Sequence, residues 1–307
     1  MMPEVRFVFF DIGNTLLFPN RAKMLAPIPS DRHPTLAHWQ ALERRTKAEF
    51  DRDMQQGRVD HSFWWIFYSY FLEDLNESRD DKTRDGLVQE LVQNTQNSAN
   101  WDQILPSTRP ALDRIRERFR IAVISNADGR IENILSRCGI ADCFETITDS
   151  GIVGFEKPRR EIFYAALKTM SARADESLYV GDVYSIDYVG ATNAGMRAVL
   201  FDVAGAYRDR QEVRVESLAQ LESWLRNSWA GLTWRQAKTI SNCRVLQFQN
   251  LMVKTIGVHC LVKTPQKLGS ITRHVIHSGN GSLLQSVRRI KSIVEQFRLS
   301  HDNLTAS

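Results

Sequence analysis

The stretch FVFFDIGNTLLF, residues 7–18, places a carboxylate, Asp11, directly after an apolar run and puts Gly13 two positions further on. A short, continuous apolar run is typical of a strand covered on both faces of a parallel sheet. In such sheets ligands bind outside the carboxyl ends of the strands, which is where Asp11 falls. The stretch therefore predicts a buried strand that ends at a functional carboxylate.

Further strand-like runs follow along the chain, and helical patterns lie between the later ones. The predicted strands are VRFVFF (5–10), RIAVIS (120–125), ETITD (145–149), LYVG (178–181) and AVLFD (198–202). Two segments have helical spacing of apolar residues, RIENILSRCG (130–139) and PRREIFYAALKTM (158–170). Strand and helix in alternation predict an α/β fold, a Rossmann-like doubly wound parallel sheet.

The length of 307 residues allows roughly two domains. Residues 19–103 interrupt the alternation with polar-rich, helix-like sequence, which we interpret as an inserted α-helical cap. The core then comprises residues 1–18 plus 104–225. Within the cap, aromatic residues surround a helix on nearly all sides, which favours burial between neighbours over a substrate pocket; they are Phe63, Trp64, Trp65, Phe67, Tyr68, Tyr70 and Phe71.

The formal charge of +4 is the sum over two segments whose net charges have opposite signs. Residues 1–225 hold 28 lysines and arginines against 34 acidic residues, whereas residues 226–307 hold 12 against 2. A basic excess attracts nucleic acid or acidic membrane surfaces, but the weak periodicity and missing turn signals of this segment favour a poorly ordered C-terminal extension. Nucleic acid is therefore an unlikely partner, and the oligomeric state is open.

Composition excludes several other classes of protein. No apolar stretch reaches the roughly 18–20 residues that span a bilayer, and MMPEVRF at the N-terminus lacks the features of a secretory signal. We therefore expect a cytoplasmic protein. The cysteines, at positions 138, 143, 243 and 260, show no metal-binding spacing and indicate neither a disulfide framework nor a catalytic thiol.

Four motifs occur in order, and their polar residues follow predicted strands or begin a predicted helix. They are Asp11 with Thr15, Ser125 with Asn126, Lys157 before Pro158, and the GDxxxxD motif of Gly181, Asp182 and Asp187. The set resembles the haloacid dehalogenase superfamily, in particular phosphatase-like members with a helical cap inserted after the first motif. The resemblance covers roughly residues 5–210, and four motifs together are far more specific than one.

The resemblance implies a hydrolase that transfers a phosphoryl group from a small phosphorylated substrate to Asp11. Mg²⁺ would bind the Asp11 carboxylate, the backbone carbonyl of Gly13 and Asp182, and these oxygen ligands suit magnesium. Lys157 and Ser125 would contact the phosphoryl oxygens. The residues in supporting roles would be Asn126, Asp187 and Thr15.

Gly13 departs from the pattern of the superfamily phosphatases, which usually carry an aspartate there to protonate the leaving oxygen. Glycine keeps the backbone carbonyl for the metal but cannot transfer protons. Loss of a positioned acid or base typically costs about 10²- to 10⁴-fold in rate. We therefore expect a slow phosphatase, unless Asp128, Asn14 or a cap residue takes the place of the missing carboxylate at position 13.

Three alternatives stay open at the level of sequence. A dehalogenase would also use Asp11 as its nucleophile and needs no acid at position 13. Such enzymes work without a metal, however, whereas Asp182 is suited to bind one. A phosphonate hydrolase would need a cap lysine, and Lys23 and Lys47 have no distinctive sequence context. A protein that only binds a phosphorylated ligand or a protein partner is the third alternative, which Gly13 alone favours.

Overall fold

A computed structural model describes residues 3–58, 62–76 and 80–229 of the chain. Its centre is a six-stranded sheet in which all neighbours run parallel, in the order β5-β4-β1-β6-β7-β8. The strands of this sheet are β1 (Phe7–Phe10), β4 (Arg120–Ser125), β5 (Thr146–Asp149), β6 (Ser177–Gly181), β7 (Arg197–Phe201) and β8 (Arg214–Val215). The predicted α/β, Rossmann-like sheet is confirmed.

Two short strands, β2 (Leu17–Phe18) and β3 (Gln103–Ile104), pair antiparallel outside this sheet. Between them the chain forms a helical segment, which we call the helical insertion. Its α-helices are α1 (Arg21–Met24), α2 (Leu36–Gln55), α3 (Phe63–Asp74) and α4 (Asp81–Gln96). The later helices are α5 (Thr108–Arg116), α6 (Ile131–Arg137), α7 (Ser150–Val153), α8 (Arg160–Thr169), α9 (Val189–Asn193) and α10 (Leu218–Trp229).

The sheet is covered on both faces because successive side chains of a strand point to opposite sides. Val8 and Phe10 pack with residues of α5, α6 and α10, whereas Phe7 and Phe9 pack with residues of α8 and α9. All four β1 side chains are at most 3% exposed. This explains the uninterrupted apolar run, and it fixes Asp11 at the carboxyl end of a central strand.

The helical insertion has its own apolar core, which includes Trp39, Phe67, Tyr68 and Phe71. The expected burial of the aromatic cluster is confirmed for the last three of these. Trp64 is partly buried and extends the aromatic contacts towards the sheet, because its ring centroid lies 5.7 Å from that of Trp101.

Among the features that the sequence does not predict are the β2–β3 pair, the edge strand β8 and the extent of α10. That helix runs to Trp229 and so crosses residue 226, at which the change in composition predicts the start of the basic segment. The expectation that residues 226–307 are poorly ordered lies, from residue 230 onward, outside the described residues. Among the described helices, none has both the length and the apolar character of a membrane span.

Candidate active site

Three carboxylates meet at the carboxyl edge of the sheet. Asp11 follows β1, Asp182 follows β6, and Asp187 lies in the π-helical turn Tyr184–Tyr188. One oxygen from each carboxylate lies within 4.8 Å of the others, and all three residues are buried. The parallel register of β1 and β6 brings the first two together, since Phe10 pairs with Val180 one or two positions before each carboxylate.

Lys157 joins two of these carboxylates from the segment before α8. Its Nζ lies 2.6 Å from Asp11 Oδ1 and 2.7 Å from Asp187 Oδ1, and it donates a third hydrogen bond to the Tyr179 hydroxyl at 2.8 Å. Burial lowers the pKa of Lys157, but the charges of Asp11 and Asp187 outweigh this effect and raise it. Lys157 is therefore a fixed, buried ammonium group directly beside the candidate nucleophile.

Asn126 positions Lys157 through the backbone. The Asn126 side chain accepts a hydrogen bond from the Lys157 amide at 2.7 Å and donates one to the Lys157 carbonyl at 3.0 Å. Asn126 does not cap the helix that follows: Asp149, from the neighbouring strand β5, accepts from the Ile131 amide of α6. The Asn126 side chain therefore holds the backbone of Lys157 and does not cap α6.

Two other predicted residues lie near this edge of the sheet. Ser125 is the last residue of β4, the strand beside β1, and is 4% exposed. Thr15 is 1% exposed, and its hydroxyl finds no hydrogen-bond partner within the described part of the chain. Neither side chain joins the carboxylate cluster in a described hydrogen bond, so their roles towards a substrate stay predictions.

Gly181 allows Asp187 to approach the end of β6. A Cβ added to Gly181 would lie 2.5 Å from the Asp187 carboxyl carbon, a distance that real Cβ contacts do not reach. The other oxygen of Asp187 accepts a hydrogen bond from the Val183 amide at 2.9 Å. The close approach of Asp187 thus explains why the GDxxxxD motif has a glycine at position 181. Asp187 also holds the loop around Asp182 in place.

The helical insertion contributes a second lysine, Lys47, which the sequence offers only as one of two candidate cap lysines of a phosphonate hydrolase. Lys47 of α2 is completely buried, and its Nζ lies 2.9 Å from Asp182 Oδ2 and 2.7 Å from Glu43 Oε1. Burial lowers its pKa, but the charges of Asp182 and Glu43 outweigh this and raise the pKa well above its usual value. Lys23, the second candidate cap lysine, pairs instead with Asp102.

The cluster is electrostatically unbalanced. Burial, with the charge of Asp187 adding to it, raises the pKa of Asp11 to about 6 although Lys157 lowers it. Burial also raises the pKa of Asp182 to about 7, against the opposing effect of Lys47. Around these residues two ammonium groups face four carboxylates, including Glu43, a formal charge of −2. A buried negative charge of this size favours a cation.

The donor set fits a magnesium ion, which binds oxygen ligands and is commonly held by one or two carboxylates. Three carboxylates converge within reach of one ion, and a divalent cation would neutralise the formal charge of the cluster. The Lys47 ammonium, which already occupies an oxygen of Asp182, opposes binding at that carboxylate.

The space beside Gly13 is filled by an aromatic ring. A Cβ added to Gly13 would lie 3.3 Å from the Trp101 ring, a tight contact. The Trp101 indole N–H donates a hydrogen bond to the Thr95 carbonyl at 2.8 Å, which fixes the ring. A side chain at position 13 would require the Trp101 ring to shift by a few tenths of an ångström.

Asp128, a sequence candidate for the missing acid or base, is engaged elsewhere. Its carboxylate accepts hydrogen bonds from the Ser98 amide, at 3.1 Å, and from Arg130. Partial burial raises the pKa of Asp128, but these hydrogen bonds bring it down to about 2, which leaves it a poor acid. Asn14, the second candidate, donates to Asp182 at 3.4 Å and does not titrate.

Comparison with known proteins identifies the family. Residues 5–195 match the haloacid dehalogenase-like hydrolase family. The chain belongs to the haloacid dehalogenase-like hydrolases. The similarity suggested by the four motifs is thereby confirmed, and so is the general class of the protein, a hydrolase.

Named relatives cover parts of the chain. Haloacid dehalogenase-like hydrolase domain-containing protein 3 of Xenopus laevis is 32% identical over 138 residues, 45% of this chain and 56% of that protein. Glyceraldehyde 3-phosphate phosphatase of Methanothermobacter thermautotrophicus is 38% identical over 111 residues, 35% of this chain and 49% of that protein. The matched part therefore spans about half the length of each of these two relatives.

One solved structure supports the fold. The haloacid dehalogenase-type hydrolase YfnB of Bacillus subtilis, whose structure is described as bound to magnesium, aligns with a TM-score of 0.53 at 18% sequence identity. The alignment covers 73% of this chain and 99% of YfnB. The similarity extends over nearly the whole of YfnB, and at this level of identity it supports the shared architecture.

Proposed function

We propose that the protein is a magnesium-dependent phosphatase that acts on a small phosphorylated substrate through an aspartyl-phosphate on Asp11. The observation that carries the proposal is the convergence of Asp11, Asp182 and Asp187 within 4.8 Å, with Lys157 bonded to Asp11. The archaeal relative named glyceraldehyde 3-phosphate phosphatase supports a small phosphorylated substrate. The helical insertion would act as the cap that selects it.

The residues divide the chemistry between them. An Asp11 oxygen attacks phosphorus, the bond from phosphorus to the leaving oxygen breaks, and water later attacks the acyl phosphate to release phosphate and regenerate Asp11. Lys157 keeps Asp11 oriented and adds positive charge beside the phosphoryl oxygens. Magnesium held by Asp11, Asp182 and the Gly13 carbonyl, with Asp187 in support, would neutralise charge that develops in the transition state.

Proton transfer is the weak step of this mechanism. Gly13 offers no side chain to protonate the leaving oxygen or to deprotonate the attacking water. Asp128 is bound to Arg130 instead. We therefore propose a slow enzyme that favours good leaving groups and accumulates the aspartyl-phosphate.

The metal requirement separates this proposal from its alternatives. Hydrolysis of an activated aryl phosphate is expected to disappear on chelation with EDTA and to return with Mg²⁺, because uncompensated carboxylates repel the anionic substrate. The measurement is release of the aryl alcohol, with Asp11→Asn as an inactive control under both conditions.

Two results would contradict the phosphatase proposal. Release of halide from a 2-haloacid in EDTA, dependent on Asp11, would indicate a dehalogenase. Phosphate-competitive ligand binding, with no turnover and no labelling of Asp11 by beryllofluoride, would indicate a binding protein.

A further inference from the structure

The ion pair between Lys47 and Asp182 places a positive charge of the helical insertion at a carboxylate of the proposed metal site. The Lys47 Nζ lies 2.9 Å from Asp182 Oδ2, and the lysine is completely buried. It is not a solvated surface lysine that happens to approach the site. Glu43, one helical turn earlier on α2, holds the same ammonium at 2.7 Å.

The position of Lys47 is fixed because the same face of α2 is docked on the loop that carries Asp187. Asp51, one turn beyond Lys47, accepts hydrogen bonds from the Ser185 amide and from the Tyr207 hydroxyl, each at 3.0 Å. Asp51 is 3% exposed. Two successive turns of α2 therefore contact the loops at the edge of the sheet, one through the positive charge of Lys47 and the next through the negative charge of Asp51. The ammonium group cannot move away from Asp182 without a local rearrangement.

A cation at Asp182 and the Lys47 ammonium would use the same carboxylate and repel each other. Two positive charges at one buried carboxylate interact strongly, because little water screens them. A divalent cation can bind only if Lys47 gives up part of its contact with Asp182. The ammonium then keeps Glu43, which it already contacts, as its acceptor. The cost of this exchange weakens cation binding.

We propose that Lys47 is a positioning residue that competes with the divalent cation for Asp182. The contact of α2 with Asp182 and the binding of a cation therefore weaken each other. This inference rests on the proposed magnesium site. Because thermodynamic coupling is reciprocal, cation binding loosens the contact of α2 with Asp182 to the same extent that this contact weakens cation binding. The fold thereby keeps the carboxylate cluster partly neutralised before the metal enters.

The test is direct titration of the purified full-length chain with Mn²⁺, followed by electron paramagnetic resonance of the free ion, without substrate. Lys47→Met is expected to bind Mn²⁺ more tightly than the wild type by about 10- to 100-fold, in the range of ordinary couplings between sites. Lys47→Arg, which keeps the charge, is expected to bind Mn²⁺ with an affinity equal to that of the wild type or lower. Lys168→Met is the matched control, since Lys168 is an exposed lysine of α8.

The outcomes distinguish a failure of competition by Lys47 from a failure of the proposed magnesium site. If Lys47→Met binds Mn²⁺ within twofold of the wild type, or more weakly, competition is wrong and Lys47 instead supports Asp182 or has no effect on the site. If neither the wild type nor the variant binds Mn²⁺ although both are folded by circular dichroism, the metal site itself fails. Lys47→Gln supplies the same loss of charge if the methionine variant does not fold.

Discussion

Lys157→Met is expected to abolish hydrolysis and to lower the free energy of unfolding by about 3–5 kcal/mol, the usual cost of removing one partner from a buried ion pair. The Lys157 ammonium holds Asp11 at 2.6 Å and Asp187 at 2.7 Å, and its side chain is 3% exposed. Without it, two buried carboxylates lose their only shared cation among the described residues. The measurement is urea unfolding of the metal-free protein, together with activity in Mg²⁺.

The pH dependence of this loss has a defined sign. Burial already raises the pKa of Asp11 to about 6, above its value in the unfolded chain, and removing the ammonium raises it further. The folded state then binds more protons than the unfolded state over a wider pH range. The loss of stability in Lys157→Met is therefore expected to grow from mildly acid to mildly alkaline pH. Lys168→Met, which removes an exposed lysine, is expected to stay near the wild type. Equal stability of Lys157→Met and the wild type at alkaline pH would contradict the structural account of the site.

The second large effect is expected from restoring a carboxylate at position 13. Gly13→Asp alone is expected to gain little, because the new side chain meets the Trp101 ring at a distance of 3.3 Å from its Cβ. Gly13→Asp combined with Trp101→Ala is expected to raise steady-state turnover of a poor leaving group by about 10²- to 10⁴-fold, the usual contribution of a general acid or base. The measurement is steady-state release of an alkyl alcohol from its phosphate ester.

The controls for this experiment keep the size of the side chain and change its chemistry. Gly13→Asn in the Trp101→Ala background provides an amide of nearly the same shape that cannot transfer the proton, and Trp101→Ala alone shows the effect of the vacated space. Both are expected to stay slow. If the aspartate variant is no faster than the asparagine variant, proton transfer does not limit this enzyme.

Much of the site followed from the sequence because parallel strands end at one edge of a sheet. Asp11 and Asp182 lie directly after buried strands, so the topology alone brings them together. Lys157 and Asp187 followed from the motif pattern, and the structure places both beside the two aspartates. The strand bounds agree within two residues, because apolar runs and turn residues are local signals.

The contacts that the sequence did not reveal, those of Lys47 and Trp101, arise through tertiary packing. Lys47 is one of many charged residues on α2, and only the docking of that helix makes it a partner of Asp182. The spacing of Glu43, Lys47 and Asp51 at intervals of four residues was the one available signal, since it places all three on one helical face. Trp101 lies 88 positions from Gly13, and no local pattern predicts their contact.

The most direct test of the central claim is rapid-quench kinetics with an activated aryl phosphate and Mg²⁺, followed by peptide mass spectrometry of the acid-quenched protein. We expect a burst of aryl alcohol that is stoichiometric with the protein, a slow steady state, and a phosphoryl group located on Asp11. Rapid release that is linear from the start, with no phosphoryl group on Asp11, would contradict the account.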